Sequence, residues 1–286
     1  MTPVIRHVPV LAPSGFTDVA YCEWGPPDGP AVLCIHGLTR NARDFDVLAQ
    51  ALAKDGHRVV AVDMPGRGRS AWLANPLDYG YPLYLAAAAA LIARMDVERV
   101  AVVGTSMGGL IGMMLAAQPG TPVARLVVND VGPFIPKAAL ERIMAYLGLD
   151  PRFPTLGRLE AALRQVHAPF GTLSDAQWQH LAIHGAAPVA GGWRLHYDPA
   201  IAVAMKAQPV ADVDLWPVWE KIACPTLVLH GAQSDVLLGE TAAAMATRGV
   251  AAAAGQVRVV EIAGCGHAPA LMAADQVALL RDFLKP

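Results

Sequence analysis

Charged residues make up only 16% of this 286-residue chain, and the signs nearly cancel: 22 lysines and arginines against 24 aspartates and glutamates leave a formal charge of −2. The arginines are scattered, so nucleic acid finds no basic field to bind. Cysteine is scarce as well. Cys22, Cys34, Cys224 and Cys265 lie far apart with no C-x-x-C spacing, which disfavours a zinc site or a dithiol redox pair and leaves them as small buried apolar residues. The segment YLAAAAALIARM is too short to span a bilayer and is ended by Arg94, so it reads as a buried amphipathic helix and no membrane association is expected. The N-terminal stretch MTPVIRHVPVLAPSGF is broken by prolines and has no charged-then-apolar export pattern, so a cytoplasmic location is expected. With 54% hydrophobic residues, the chain can bury the core of an enzyme-sized globular unit.

What is present is alternation. Runs rich in Val, Leu and Ile recur at Ala31–Ile35, Arg58–Val62, Val100–Val103, Ala124–Val128, Thr226–Leu229 and Val257–Ile262, and each reads as a buried strand. Alanine-rich segments of helical length lie between most of them, as at Phe45–Lys54, Leu83–Arg94, Leu110–Gln118, Glu240–Thr247 and Met272–Leu284. This order predicts an α/β fold with a mostly parallel, doubly wound sheet, and FTDVAYCEWG fits an antiparallel edge strand. From Gly132 to about Ala223 the strand-like runs vanish. Residues 133–223 are therefore expected to form a helical cap inserted into a core of residues 1–132 and 224–286. The cap holds Trp178, Trp193, Trp216 and Trp219, four of the six tryptophans. These residues would line an apolar substrate pocket or form the cap's own small core.

Within VAVVGTSMGGL, a strand ending at Val103 and a helix starting near Met107 leave only Gly104, Thr105 and Ser106 for the reversal. Gly104 and Gly108 remove side chains that would collide where strand and helix meet, and the bend lifts the Ser106 hydroxyl above the sheet. Such a serine needs a base, and the base needs an orienting acid. His267, in VEIAGCGHAP, follows the last strand, and Asp235, in LVLHGAQSDVL, follows the strand before it, giving the order Ser106, Asp235, His267. Asp130 in LVVNDVGP also ends a strand and is the alternative acid. The Met107 N–H at the helix start and the Leu38 N–H after His36-Gly37 are the expected oxyanion donors. His36 reads as a loop-holding residue. His180 and His184 stand at i, i+4 spacing but lack a glutamate and any obvious third ligand, so no metal is expected.

In HGLTR, DMPGRGRS (Asp63–Ser70), GTSMGG (Gly104–Gly109), GAQSD (Gly231–Asp235) and GCGHAP (Gly264–Pro269), the chain resembles the α/β-hydrolase fold family, in particular its cap-bearing bacterial serine hydrolases. The resemblance implies Ser106 as nucleophile, His267 as base, Asp235 as acid, Leu38 and Met107 as oxyanion hole, and a tight loop in which Arg67 and Arg69 are structural. It implies a carboxylic ester hydrolase acting on a small-molecule ester through an acyl-enzyme, with no cofactor required. A serine nucleophile argues against the dehalogenase and epoxide-hydrolase branches. Carbon–carbon bond hydrolases of ring-cleavage products typically carry an asparagine and a tryptophan where Thr105 and Ala268 stand, so that activity is an alternative beside lactonase, perhydrolase or a ligand-binding receptor of the same fold. The substrate's acyl and alcohol parts and the oligomeric state stay open.

Overall fold

Five of the six apolar runs become strands with both faces covered, and the sixth, Val257–Ile262, lies at the sheet's edge with Arg258 and Glu261 exposed. The computed structural model describes residues 1–285. Six strands precede an insertion: β1 (Val4–Ala12), β2 (Gly15–Trp24), β3 (Ala31–Ile35), β4 (Arg58–Val62), β5 (Val100–Thr105) and β6 (Val123–Asn129). The insertion holds four short strands, β7 (Phe134–Ile135), β8 (Ala186–Val189), β9 (Gly192–Leu195) and β10 (Val213–Asp214), and β11 (Thr226–Gly231) and β12 (Val257–Ile262) follow it. Helices α1 (Asp46–Lys54), α2 (Tyr81–Met95) and α3 (Met107–Ala116) precede the insertion, α4 (Lys137–Tyr146), α5 (Leu156–Val166), α6 (Asp175–Gly185), α7 (Ile201–Lys206) and α8 (Trp216–Trp219) lie in it, and α9 (Gly239–Met245), α10 (Val250–Ala253) and α11 (Ala274–Leu284) follow.

Eight strands form the central sheet in the order β1-β2-β4-β3-β5-β6-β11-β12, parallel except where β2 meets β1 and β4. Successive side chains point to opposite faces of a strand, and the two faces are capped by different helices. Leu33, Ile35, Val60 and Val128 pack with α2 and α3, while Val32, Cys34, Val59 and Leu229 pack with α1 and α11. Burial on both sides explains why β3 and β11 read as unbroken apolar runs rather than alternating ones.

Two expectations change. FTDVAYCEWG is antiparallel but is not the edge strand, because β1 pairs with it along its length. β1 escapes notice since all but two of its nine residues face solvent at least in part. The insertion is also not purely helical: β7 pairs with β10 and β8 with β9. Among the described residues no helix is long and apolar enough to cross a membrane.

Candidate active site

β3, β5, β6 and β11 are neighbours, so the loops after their carboxyl ends meet above one edge of the sheet. Ser106 sits between β5 and α3 with φ 54° and ψ −117°, a conformation that side-chain-bearing residues rarely adopt. The flanking glycines make it possible by close approach. A Cβ on Gly104 would lie 2.2 Å from the Gly108 carbonyl oxygen, and one on Gly108 would lie 2.0 Å from that of Ile35. Either substitution would push the turn off the sheet.

The Ser106 hydroxyl donates to His267 Nε2 at 2.8 Å, and His267 Nδ1–H donates to Asp130 Oδ2 at 2.8 Å. A carboxylate only accepts, so its contact places the imidazole proton on Nδ1 and leaves Nε2 to accept from serine. Asp130 is fully buried and follows β6 in the left-handed region, at φ 56°. It also accepts from the Gly231 N–H and the Ser234 hydroxyl, each at 2.7 Å. Asn129 steadies the ensemble by donating to Thr105 Oγ1 and to the Pro269 carbonyl, tying the serine turn to the histidine loop.

Asp235 is not the partner of His267. Its carboxylate receives Arg142 Nε and Nη2 from α4 at 2.5 and 2.8 Å, and both side chains are about half exposed. The reason lies in the loop: Ser234, one residue earlier, turns inward to Asp130, and Asp235 faces outward to the insertion.

Leu38 and Met107 both line the cavity above Ser106. As the first residue of α3, Met107 has an N–H with no intrahelical acceptor. Arg67 is completely buried and braces both segments, donating to the Leu38 carbonyl at 2.8 Å and to Met107 Sδ at 3.7 Å, and also to Tyr84. His36 holds its loop, with Nδ1 donating to the Gly37 carbonyl and Nε2 accepting from the Met64 N–H. Burial lowers His36 from its ordinary value to about 3, which keeps it neutral, as these two roles require.

The cavity measures about 570 Å³, within the range of small-molecule sites, and the insertion walls much of it. None of Trp178, Trp193, Trp216 and Trp219 lines it. Trp178 packs with Leu181 and Met272, Trp193 joins the cluster around Leu159 and Leu163, and Trp219 is buried in the main core with its indole N–H on the Arg248 carbonyl. Trp216 stacks under the Arg248 guanidinium, 3.8 Å from the ring centre. All four satisfy packing within the insertion or against the core. The aromatic lining comes instead from Phe45, Tyr79, Tyr81, Tyr84, Tyr146 and Phe170, and from His167 stacked on Phe170. Burial, with Arg40 and His267 nearby, lowers His167 to about 3, so it presents a neutral ring. No motif marks these positions, and only the fold gathers them.

His180 and His184 do meet a third group that the sequence hides. Asp46, at the start of α1, brings its carboxylate into a cluster whose ligand atoms all lie within 4.8 Å of one another. Arg43 already occupies that carboxylate with three hydrogen bonds, and His180 Nε2 donates to the Arg43 carbonyl. A guanidinium at this distance opposes a second cation, so the cluster reads as a seam between α6 and the core.

Comparison with known proteins gives a consistent picture. Residues 32–279 match the alpha/beta hydrolase family. The chain is 46% identical to a 3-hydroxybutyrate-oligomer hydrolase from Cupriavidus necator, over 99% of this chain and 98% of that one. A crystal structure from Rickettsia typhi superposes with a TM-score of 0.90 at 32% identity, covering 99% of both chains. An alpha/beta hydrolase from Novosphingobium aromaticivorans superposes with a TM-score of 0.86 at 35% identity, covering 99% of this chain and 98% of that one.

Proposed function

Because the chain belongs to the alpha/beta hydrolase family and is a carboxylic ester hydrolase, we propose that Ser106 is its nucleophile, His267 its base and Asp130 its acid, and that its substrates are short oligomers of a hydroxyalkanoic acid. The observation that carries the site is the unbroken relay from Ser106 through His267 to Asp130, opening into the cavity. The substrate class is supported by the 46% identity to the Cupriavidus necator protein along nearly the whole of both chains.

The geometry supports the following course. Ser106 Oγ attacks the ester carbonyl carbon while its proton passes to His267 Nε2. The Leu38 and Met107 N–H groups donate to the oxygen as it becomes negative, and Asp130 stabilises the imidazolium and holds its tautomer. The ester C–O bond then breaks, and the departing alcohol takes the proton from Nε2. Water, deprotonated at the same nitrogen, attacks the acyl-enzyme and releases the acid and free Ser106. Four buried cysteines, none of them in a disulfide, support a cytoplasmic setting for this chemistry.

The test pairs Ser106→Ala with the wild type. The variant is expected to lose labelling by a fluorophosphonate and cleavage of a 3-hydroxybutyrate trimer, and to keep its circular dichroism spectrum. Undiminished labelling would overturn Ser106 as nucleophile. A wild-type enzyme that cleaves p-nitrophenyl butyrate but leaves the trimer intact would overturn the substrate class.

A further inference from the structure

Two ion pairs line the cavity, and they differ in kind. Arg40 and Asp44 belong to one turn of chain and are largely buried, with side chains 8% and 20% exposed. Separating them would strand a charge in a low-dielectric site. Arg142 and Asp235 come from different segments, the first from α4 in the insertion and the second from the loop after β11, and are 46% and 49% exposed. Exchanging a partner is cheap for such a pair, because water screens it and compensates for its rearrangement. Arg142 also spends only its Nε and Nη2 donors on Asp235, and a guanidinium carries about five N–H donors in all. An incoming anion can therefore be bound beside Asp235 or in its place.

From this contrast we infer that Arg142 is the binding site for the free carboxylate end of the substrate, with Asp235 the counter-ion that this carboxylate joins or replaces. The inference rests on the hydroxyalkanoate reading. Such an oligomer carries a single carboxylate at one end, and its interior is neutral and apolar enough for the rest of the cavity. A planar guanidinium matches a carboxylate through two parallel hydrogen bonds, a geometry that an ester end cannot reproduce. An anchor at this half-exposed pair would fix the direction in which the chain lies across Ser106. The enzyme then works from the carboxyl end, and oligomers are shortened rather than cut at random.

Binding is measured by calorimetry in the Ser106→Ala background, where the ligand survives, with the 3-hydroxybutyrate dimer and trimer each as free acid and as methyl ester. The acid is expected to bind about five- to tenfold more tightly than the methyl ester at one length at least, the range for a charge-assisted pair that is half screened. Arg142→Gln in that background is expected to bring the ratio to about one, and Asp235→Asn to raise it, with thermal melts establishing that both variants fold. The same four compounds are then given to the active enzyme. Cleavage with no preference for acid over methyl ester in either assay would overturn the carboxylate anchor and leave the substrate class standing. A carboxylate-dependent affinity without cleavage of any of the four would overturn the substrate class and leave the anchor standing. An acid preference that persists undiminished in Arg142→Gln would move the anchor to another group and refute the assignment.

Discussion

Replacing Asp130 by asparagine exchanges one buried oxygen for an amide nitrogen and leaves the shape of the side chain almost unchanged. The wild-type carboxylate accepts three hydrogen bonds, from the Gly231 N–H, the Ser234 hydroxyl and His267 Nδ1–H. An amide can accept on one side only. If its nitrogen faced the Gly231 N–H, two donors would oppose each other in a fully buried site, at about 1–3 kcal/mol. The amide therefore turns its nitrogen toward Ser234 and His267. Ser234 Oγ already accepts from the Val236 and Leu237 N–H groups, so its hydroxyl can only swing away from the amide, and His267 can satisfy the new donor only by moving its proton to Nε2. That tautomer cannot take the proton of Ser106. The precedent in serine proteases for this acid-to-amide change is a loss of about 10⁴ in kcat, or about 5 kcal/mol of barrier. The expected result for Asp130→Asn is a loss of that order on p-nitrophenyl butyrate, with a thermal midpoint close to wild type. Asp235→Asn removes a half-exposed ion pair worth at most about 1 kcal/mol, so its kcat on the same neutral ester should fall no more than about fivefold. Steady-state kinetics on the two variants decide the matter. Collapse in Asp235→Asn beside near-normal turnover in Asp130→Asn would refute the assignment of the acid.

The insertion tryptophans give a second prediction: Trp219→Ala should destabilise the fold by about 3–5 kcal/mol in denaturant titration, while the ranking of p-nitrophenyl esters by chain length stays that of the wild type. By contrast, Ile143→Trp, at a position that lines the cavity, should shift that ranking toward shorter acyl chains; an unchanged order would mean that the acyl group lies elsewhere. A third prediction concerns acid. His36 is lowered from 6.5 to about 3 in the folded protein, so between these values the unfolded chain binds the extra proton, and stability is present above about pH 6.5 and lost as the pH falls toward 3. Unfolding free energies at pH 7.5, 6 and 5 should therefore fall steeply in the wild type and less steeply in His36→Gln, and equal slopes would refute this source of acid sensitivity.

The parts of the molecule that could be read from sequence are those where a local pattern has a local cause. β3, β4, β5, β6 and β11 announce themselves because a doubly covered strand must be apolar at nearly every position, and β12, at the sheet's edge, by its valines and isoleucine around the exposed Arg258 and Glu261. Ser106 announces itself because contacts of 2.0 and 2.2 Å leave glycine as the residue that fits at Gly104 and Gly108. The loop carrying Leu38 is legible as the turn at the end of β3, and it lines the cavity beside Ser106. β1 could not be read in this way, since most of it faces water. Nor could the role of the tryptophans, because a large apolar ring suits a core as well as a pocket wall, and which it joins depends on partners distant in sequence, such as Met272 for Trp178. The partner of His267 was hidden for a related reason. β6 and β11 lie side by side, so acids after either strand arrive at the same edge of the sheet. Motif and chain order favour Asp235, and what separates the two is the left-handed backbone at Asp130 and the arrival of Arg142 from the insertion.

Electrostatics explains why the choice between the acids has a functional sense. The carboxylate that serves the base must lower the free energy of the imidazolium, so its charge has to be available when the proton arrives. Asp235 has Arg142 in bidentate contact, and a carboxylate already matched to a cation has less to offer a second one. Asp130, among the described residues, has no lysine or arginine within ion-pair distance. Its charge is held instead by the Gly231 N–H and the Ser234 hydroxyl, neutral donors that stabilise it without cancelling it, and His267 is its sole ionisable partner. Full burial adds to the effect, since the interaction with the imidazolium is screened less there than it would be at the half-exposed Asp235. On the proposed assignment the two aspartates divide the work: the buried one serves His267, and the exposed one keeps Arg142 in place until a carboxylate takes over.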